Sequence, residues 1–440
     1  MTHRGRHRRR RRGRALRATL AGAALALTAA ATMISASQAK VTDGPGGLKQ
    51  LTAAADTARL DLTERQVPRR WLGRLSASMG GTVGVGTVLA SADHALRPSD
   101  DCTDAERESL PKEPAAARAY CWDRADTGGW SPGAVTTSAD ADDDGRWGDD
   151  RVILSAWSRE DPATGRLLAR VSFVDAGAAA PDGSGHPAYT SALLVLPVDG
   201  GRDYRALASP VTGMVWYQDK LLVTAGPKDR NALYVYDLHR IQRATADGDA
   251  VGRVPGGWAA HGHPYVLPAV ASYRASAAPG AARPEVLSLD RSTAPDSLVA
   301  GESVRAGADR VSRLWRYPFS TDPGRAGLPA TDAAGRTGVR EAYATRARGI
   351  RGVLAHREPG TTRSQWYLGG TVGTAEGRGT LWRADTGGAR ATECGADRSQ
   401  YCWSAEAGSL SYAPDTAEVW SQSDRALFAV PLAAVRDALG

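Results

Sequence analysis

Between Asp140 and Asp150 six of eleven residues are aspartate. Asp140, Asp142, Asp144 and Gly145 follow D-x-D-x-D-G, a spacing in which alternate carboxylates converge on one hard cation and the glycine permits the sharp turn. An EF-hand needs a bidentate glutamate at the twelfth position, and Arg151 stands there, so the stretch is not an EF-hand. Asp149 and Asp150 stand close enough to complete a calcium site in a strand-flanked loop, because Ca²⁺ accepts six to eight oxygens in flexible geometry. The expectation is a Ca²⁺ site built from Asp140, Asp142, Asp144, Asp149 and Asp150. The competing reading is a solvated acidic loop.

Other residues offer other chemistry. His261 and His263 are one residue apart, and two imidazoles on an extended segment can share a metal if a third ligand arrives from elsewhere. Structural histidines in a loop ahead of Tyr265 are the commoner outcome. Twelve tryptophans stand against three phenylalanines. Exposed indoles stack on sugar rings, so Trp130, Trp147 and Trp258, in loops, are the expected ligand-binding residues. Trp157, Trp216, Trp366, Trp382 and Trp420 fall on expected strands, where packing explains them. Hydrolysis of a glycoside would need two carboxylates flanking the bond, and Asp175, Asp290, Asp296 and Glu302 are the available ones. There is no G-x-S-x-G elbow, no H-E-x-x-H and no phosphate-binding loop, so no nucleotide cofactor is expected and no catalytic set is assigned.

The chain that must position these residues opens on an arginine cluster, Arg8 to Arg12, followed by an uncharged stretch from Ala18 to Ala39 ending in "SASQA". That pattern reads as a secretory signal peptide over residues 1–39. The alternative is an uncleaved anchor, although alanines and threonines make the run weakly hydrophobic. The leader holds nine of the 55 basic residues and no acidic one, which leaves 46 basic against 48 acidic residues beyond it. The sequence pI of 9.3 therefore does not point to nucleic acid. No membrane span is expected after cleavage, and the protein is expected outside the cell. In that oxidising compartment Cys102, Cys121, Cys394 and Cys402 read as disulfides, and pairing Cys102 with Cys121 and Cys394 with Cys402 closes the shortest loops.

Residues 40–100 read as helical or irregular. Thr63 and Gln66 have capping-box spacing ahead of Val67, Trp71, Leu72 and Leu75, and Gly80 and Gly81 end the pattern. From 101 to 440 short apolar runs alternate with glycine, proline and aspartate turns. "GMVWYQDKLLVTAGPKDRNALYVYDL" from Gly213 reads as strand, tight turn, strand, loop, strand. The same order returns in "GSLSYAPDTAEVWSQSDRALFAVPL" from Gly408, with looser copies from Arg151, Glu285 and Gly352. Such units cover their apolar faces only by stacking on neighbours. The expected fold is all-β: a β-propeller, five blades within a range of five to seven, after a short helical segment. The last unit shows three strands, and the stretch from Ala116 to Thr136 is available to supply the closing one. The rival fold is a pair of β-sandwiches.

"GGWAAHGHPYVLP", "SLDRSTAPDSLVAGES" and "GMVWYQDKLLV" resemble a family of secreted, propeller-like proteins of actinomycete type. The resemblance covers most of the chain after Cys102 and implies fold and export, but no reaction. The functional expectation is a secreted, non-catalytic propeller that binds an extracellular glycan or protein through loops at one end of its channel. The alternative is an extracellular glycoside hydrolase or lyase using carboxylates in that channel, and a third class is a structural envelope protein.

Overall fold

Along Val152–Glu160 the side chains alternate between two cores. Val152, Leu154 and Ala156 enter one, and Ile153 and Trp157 enter the other. A strand buried on both faces belongs to a sheet packed between two neighbours. This pattern repeats around the molecule. A computed structural model gives the chain over residues 44–177, 186–305, 308, 310–358, 360–361, 363–370, 377–406 and 408–439. The expected leader, residues 1–39, lies outside the described residues.

The described residues form five four-stranded antiparallel meanders. The first contains Ser131–Thr137, Val152–Glu160, Leu167–Asp175 and Ala188–Val198. Met214–Tyr217, Lys220–Thr224 and Leu233–Asp237 make the second, with the later half of Tyr265–Ala275 outermost. The third has Val286–Asp290, Ser297–Gly301, Ser312–Pro318 and Glu341–Thr345. In the fourth are Ile350–His356, Gln365–Gly370, Thr380–Asp385 and Gly388–Ala391. The fifth has Ser411–Ala413, Glu418–Ser423 and Ala426–Pro431, and Arg118–Cys121 supplies its outermost strand.

Five cores join these sheets in cyclic order. Leu154 and Val171 meet Trp216 and Val223 between the first and second meanders. Val215 and Leu222 meet Leu298 and Trp315 between the second and third. Val299 and Leu314 meet Val353 and Trp366 between the third and fourth, and Leu354 and Tyr367 meet Val419 and Phe428 between the fourth and fifth. Trp420 and Leu427 of the fifth then meet Ile153 and Trp157 of the first, so the order returns to its start. The glycines leading the units have a steric reason. A Cβ at Gly213 would lie 2.7 Å from the Leu287 nitrogen, and one at Gly352 would collide with the Gly408 carbonyl of the next meander.

Three expectations are corrected. The first meander begins at Ser131, not Arg151, because Ser131–Thr137 is irregular, shifting register between Pro132 and Val135. The stretch from Ala116 to Thr136 therefore supplies two things, the closing strand of the fifth meander and most of the first strand of the first. Thr63 and Gln66 do not cap a helix. Leu62–Gln66 is a strand on the open edge of Tyr265–Ala275, and the helix Arg69–Ser78 begins only after Pro68, with Leu72 and Leu75 buried. An unpaired sheet edge offers a ladder of main-chain hydrogen bonds that outweighs a local capping signal.

The rest of this segment also follows sheet edges. Lys49–Gln50 pairs with Glu341–Thr345, His94–Ala95 with Ala188–Val198, and Arg97–Pro98 with Arg118–Cys121. The outer edges of four meanders are covered in this way. The disulfides pair as expected: Cys102 with Cys121, which ties the closing strand to the segment before it, and Cys394 with Cys402. Among the described residues no helix is long and apolar enough to cross a membrane.

Candidate functional site at the channel mouth

A cavity of about 590 Å³ is lined by Ser131, Pro132 and Gly133, by Thr212, by Glu285 and Val286, by Ile350 and Arg351, and by Gly408 and Ser409. These residues open, or directly precede, the first strand of every meander. A single cavity touched by all five lies on the axis they share. Its remaining wall includes Ser303, Glu406, Gln422, Asp424 and Trp130.

Several polar groups of this funnel are held but not saturated. Glu285 Oε2 accepts from the Ser303 amide at 3.2 Å, and burial raises its pKa. Thr212 Oγ1 donates to the Glu285 carbonyl at 2.5 Å, fixing the second meander against the third. Ser409 Oγ accepts from the Val135 amide at 2.6 Å, fixing the fifth against the first. Gln422 is buried. Its Oε1 accepts from Ser155, and its Nε2 has no partner among the described residues. Glu406, Asp424 and Arg351 are exposed around the rim.

The opposite end of the channel holds a smaller cavity of about 220 Å³, lined by Asp140, Asp290, Arg291, His356 and Tyr412 among others. Asp140 Oδ2 accepts from Thr136 Oγ1 at 2.6 Å and from Ser411 Oγ at 2.9 Å. Thr136 Oγ1 in turn accepts from the Trp216 amide at 3.0 Å, and Arg291 donates to the Asp140 carbonyl at 2.8 Å. One aspartate thereby joins the first, second, third and fifth meanders. It is 2% exposed, and burial pushes its pKa up to about 6 against the lowering effect of those hydroxyls. His356, stacked edge-on against Tyr412 at 5.1 Å, has its pKa lowered by burial and by Arg436.

The aspartate run is thus not gathered as its spacing suggests. Asp140 turns inward, and Asp142 and Asp149 are exposed. Asp143 pairs with Arg291, and Asp144 accepts from the Arg146 amide at 2.8 Å. Asp150 is half-buried, where its main chain bridges Trp147. Among the described residues the only three potential ligand atoms within 4.8 Å of one another belong to Cys102, Glu106 and Cys121, and those sulfurs are joined to each other. Asp140 leaves the set because it is drawn inward by the Thr136 and Ser411 hydroxyls, away from the exposed loop.

The tryptophans chosen for ligand binding are packed. Trp130 is 7% exposed, with the Arg159 and Arg170 guanidiniums 4.8 and 4.3 Å from its ring. Trp258 is 5% exposed, stacked on Tyr204 at 5.4 Å, and its Nε1 donates to the Ser78 carbonyl at 3.1 Å. Trp147 is half-buried against Trp216 and His239. Of the three only Trp130 reaches the funnel.

His261 and His263 do not form a metal pair. The Arg159 Nη2 donor faces His261 Nε2, so that nitrogen accepts, and Nδ1 carries the proton donated to the Asp249 carbonyl at 2.7 Å. Burial and the nearby Arg170 lower the His263 pKa to about 3. The four carboxylates considered for hydrolysis are each engaged within the protein, Asp290 and Asp296 lying close enough to feel each other's charge. Glu302 pairs with Arg313 at 2.7 Å and Arg310 at 3.4 Å. Asp290 pairs with Arg316 at 2.7 Å, and Asp296 accepts from Tyr217 at 3.1 Å. Asp175 accepts from the Gly177 amide at 2.9 Å in a turn. The funnel residues themselves had no local signature, because they come from five strand starts spread between 131 and 409.

No protein-family model matches the chain, and no curated protein matches it. Among solved structures it is similar to Drosophila Plexin A in complex with Semaphorin 1b, with 11% identity and a TM-score of 0.24 over 68% of this chain and 78% of that one. It is also similar to extracellular domains 1-2 of Drosophila Semaphorin 1a, with 9% identity and a TM-score of 0.17 over 71% of this chain and 58% of that one. Likeness at this level says nothing of partners.

Proposed function

We propose that the protein is a secreted, five-bladed β-propeller, each meander one blade, that binds an extracellular glycan in the funnel where the first strands begin. The observation that carries this reading is the cavity of about 590 Å³ touched by the start of every first strand. Its volume falls within the range of small-ligand sites. Its wall mixes carboxylates, a guanidinium, hydroxyls and a buried amide with a free donor, which suits a ligand dense in hydroxyl groups. A protein partner is less well served: among the described residues the exposed large hydrophobic side chain is Val311, so an apolar docking face is missing.

The test is retention of the mature chain on a panel of immobilised polysaccharides, parent against Glu285→Gln. The expected outcome is at least one polysaccharide bound by the parent and held at least tenfold more weakly by the variant, with unchanged melting temperature. Equal retention of both proteins on every surface would end the reading. A second reading is kept open by Glu285, whose raised pKa suits a general acid, beside Glu406 and Asp424 at the same cavity. Shortening of a bound polysaccharide, lost in Glu285→Gln, would replace binding by hydrolysis.

A further inference from the structure

Away from the channel, a cavity of about 230 Å³ is enclosed by the outer strands of the first meander, the turn from His261 to Pro264, and the segment carrying Asp93 and His94. It shares only Trp130 with the funnel. Four of its lining residues each keep a buried polar atom without a hydrogen-bond partner: Arg159 Nε, Arg170 Nε, Thr190 Oγ1 and His263 Nε2. Arg170 is 2% exposed and Thr190 is 1% exposed. A buried polar atom left unpaired costs on the order of 1–3 kcal/mol, so four around one space, the two guanidinium nitrogens among them donors, call for polar partners within it.

The charges are unequal. Arg170 is neutralised by a bidentate pair with Asp126, at 2.7 and 2.8 Å. Asp126 also accepts from Tyr189 at 3.0 Å, and these contacts hold its pKa low despite burial. Among the described residues Arg159 has no carboxylate within ion-pair distance, Asp161 acting on it only from further away: it faces His261 and the Trp130 ring. Its guanidinium is held in no ion pair and keeps Nε without an acceptor among the described residues. Opposite it, the carboxylates of Asp93 and Asp126 offer acceptors to the same cavity.

We propose that this pocket binds a monovalent sugar acid, its carboxylate received by Arg159 with Thr190 and Arg170, and its hydroxyls donated to Asp126 and Asp93. A guanidinium held outside any ion pair selects a carboxylate, and acceptors facing it select neighbouring hydroxyls over a plain apolar acid. Trp130, held under both guanidiniums, fixes their planes before the ligand arrives.

Titration calorimetry of the mature chain with glucuronate, glucose and acetate tests this, with Arg159→Gln and Thr190→Val as variants. Glucuronate is expected to bind at least tenfold more tightly than either glucose or acetate, and Arg159→Gln to lose at least that tenfold. Thr190→Val separates binding from folding. Its hydroxyl has no partner among the described residues, so the variant melts no lower than the parent while glucuronate binds several-fold more weakly. Glucose binding as tightly as glucuronate, no heat from glucuronate, or affinity unchanged in Thr190→Val would each overturn the proposal.

Discussion

The two ends of the channel are built from the same five strands and are opposites in chemistry. Where the strands end, Asp140 is bound by hydroxyls from two meanders, Asp290 is ion-paired with Arg316 though its Oδ2 makes no aligned hydrogen bond, and Arg291 ties the third meander to the first. Where they begin, Glu285 has one amide donor, the Gln422 Nε2 has no partner among the described residues, and Arg351, Glu406 and Asp424 face outward. Polar groups that satisfy one another hold blades together, and polar groups left available can receive a ligand. The first end is a seal and the second a mouth, although either, read alone, is simply a group of charged residues near the axis.

The largest expected effect is on the seal. Asp140 in the folded state keeps its proton up to about pH 6, whereas an unfolded aspartate releases it near 3.9. The stabilisation from this group is therefore complete below about pH 4 and lost as pH rises through 6, amounting to about 3 kcal/mol. Urea unfolding at pH 4 and pH 7.5 reads it: relative to Asp140→Asn, the parent should lose about 3 kcal/mol between the two. A difference independent of pH would mean that Asp140 is solvated like a surface group.

Next in size, Asp140→Ala at pH 5 should cost about 2 kcal/mol, because the Thr136 and Ser411 hydroxyls lose their acceptor. The matching change at the mouth, Glu285→Gln, should move stability by less than about 0.5 kcal/mol while weakening ligand retention. If Glu285→Gln destabilised the fold as much as Asp140→Ala, the contrast between seal and mouth would collapse. The smallest effect concerns the loop beside the seal. Calcium against chelator should shift the melting temperature by less than about 1 °C, since Asp142, Asp144 and Asp149 do not converge. A rise of about 5 °C that Asp142→Ala with Asp144→Ala abolishes would restore the run as an ion site.

What could be read from the sequence was local. Glycine-led units at 213, 352 and 408 were visible because close approach at the axis excludes a side chain. The disulfides were visible because their loops are short, with separations of 19 and 8 residues. The strand at Ser131 was hidden by Pro132 and Gly133, which break alternation at the place where the funnel needs them. The cap at Thr63 misled because the competing sheet edge lies about two hundred residues further along the chain. The role of Asp140 depends on Ser411, 271 residues away, and nothing in D-x-D-x-D-G reports that distance. Tryptophan count suggested a stacking surface, but a ring of facing sheets consumes large flat side chains in its seams.

Arg118–Cys121, which completes the fifth meander, is synthesised long before its partner Ala426–Pro431. Until that last strand emerges, the face of the first meander bearing Ile153 and Trp157 lacks the Trp420 and Leu427 that cover it. The growing chain therefore carries an uncovered apolar face until its last strands are made. A translation product stopped short of Glu418 would keep a bare tryptophan seam and an unpaired strand.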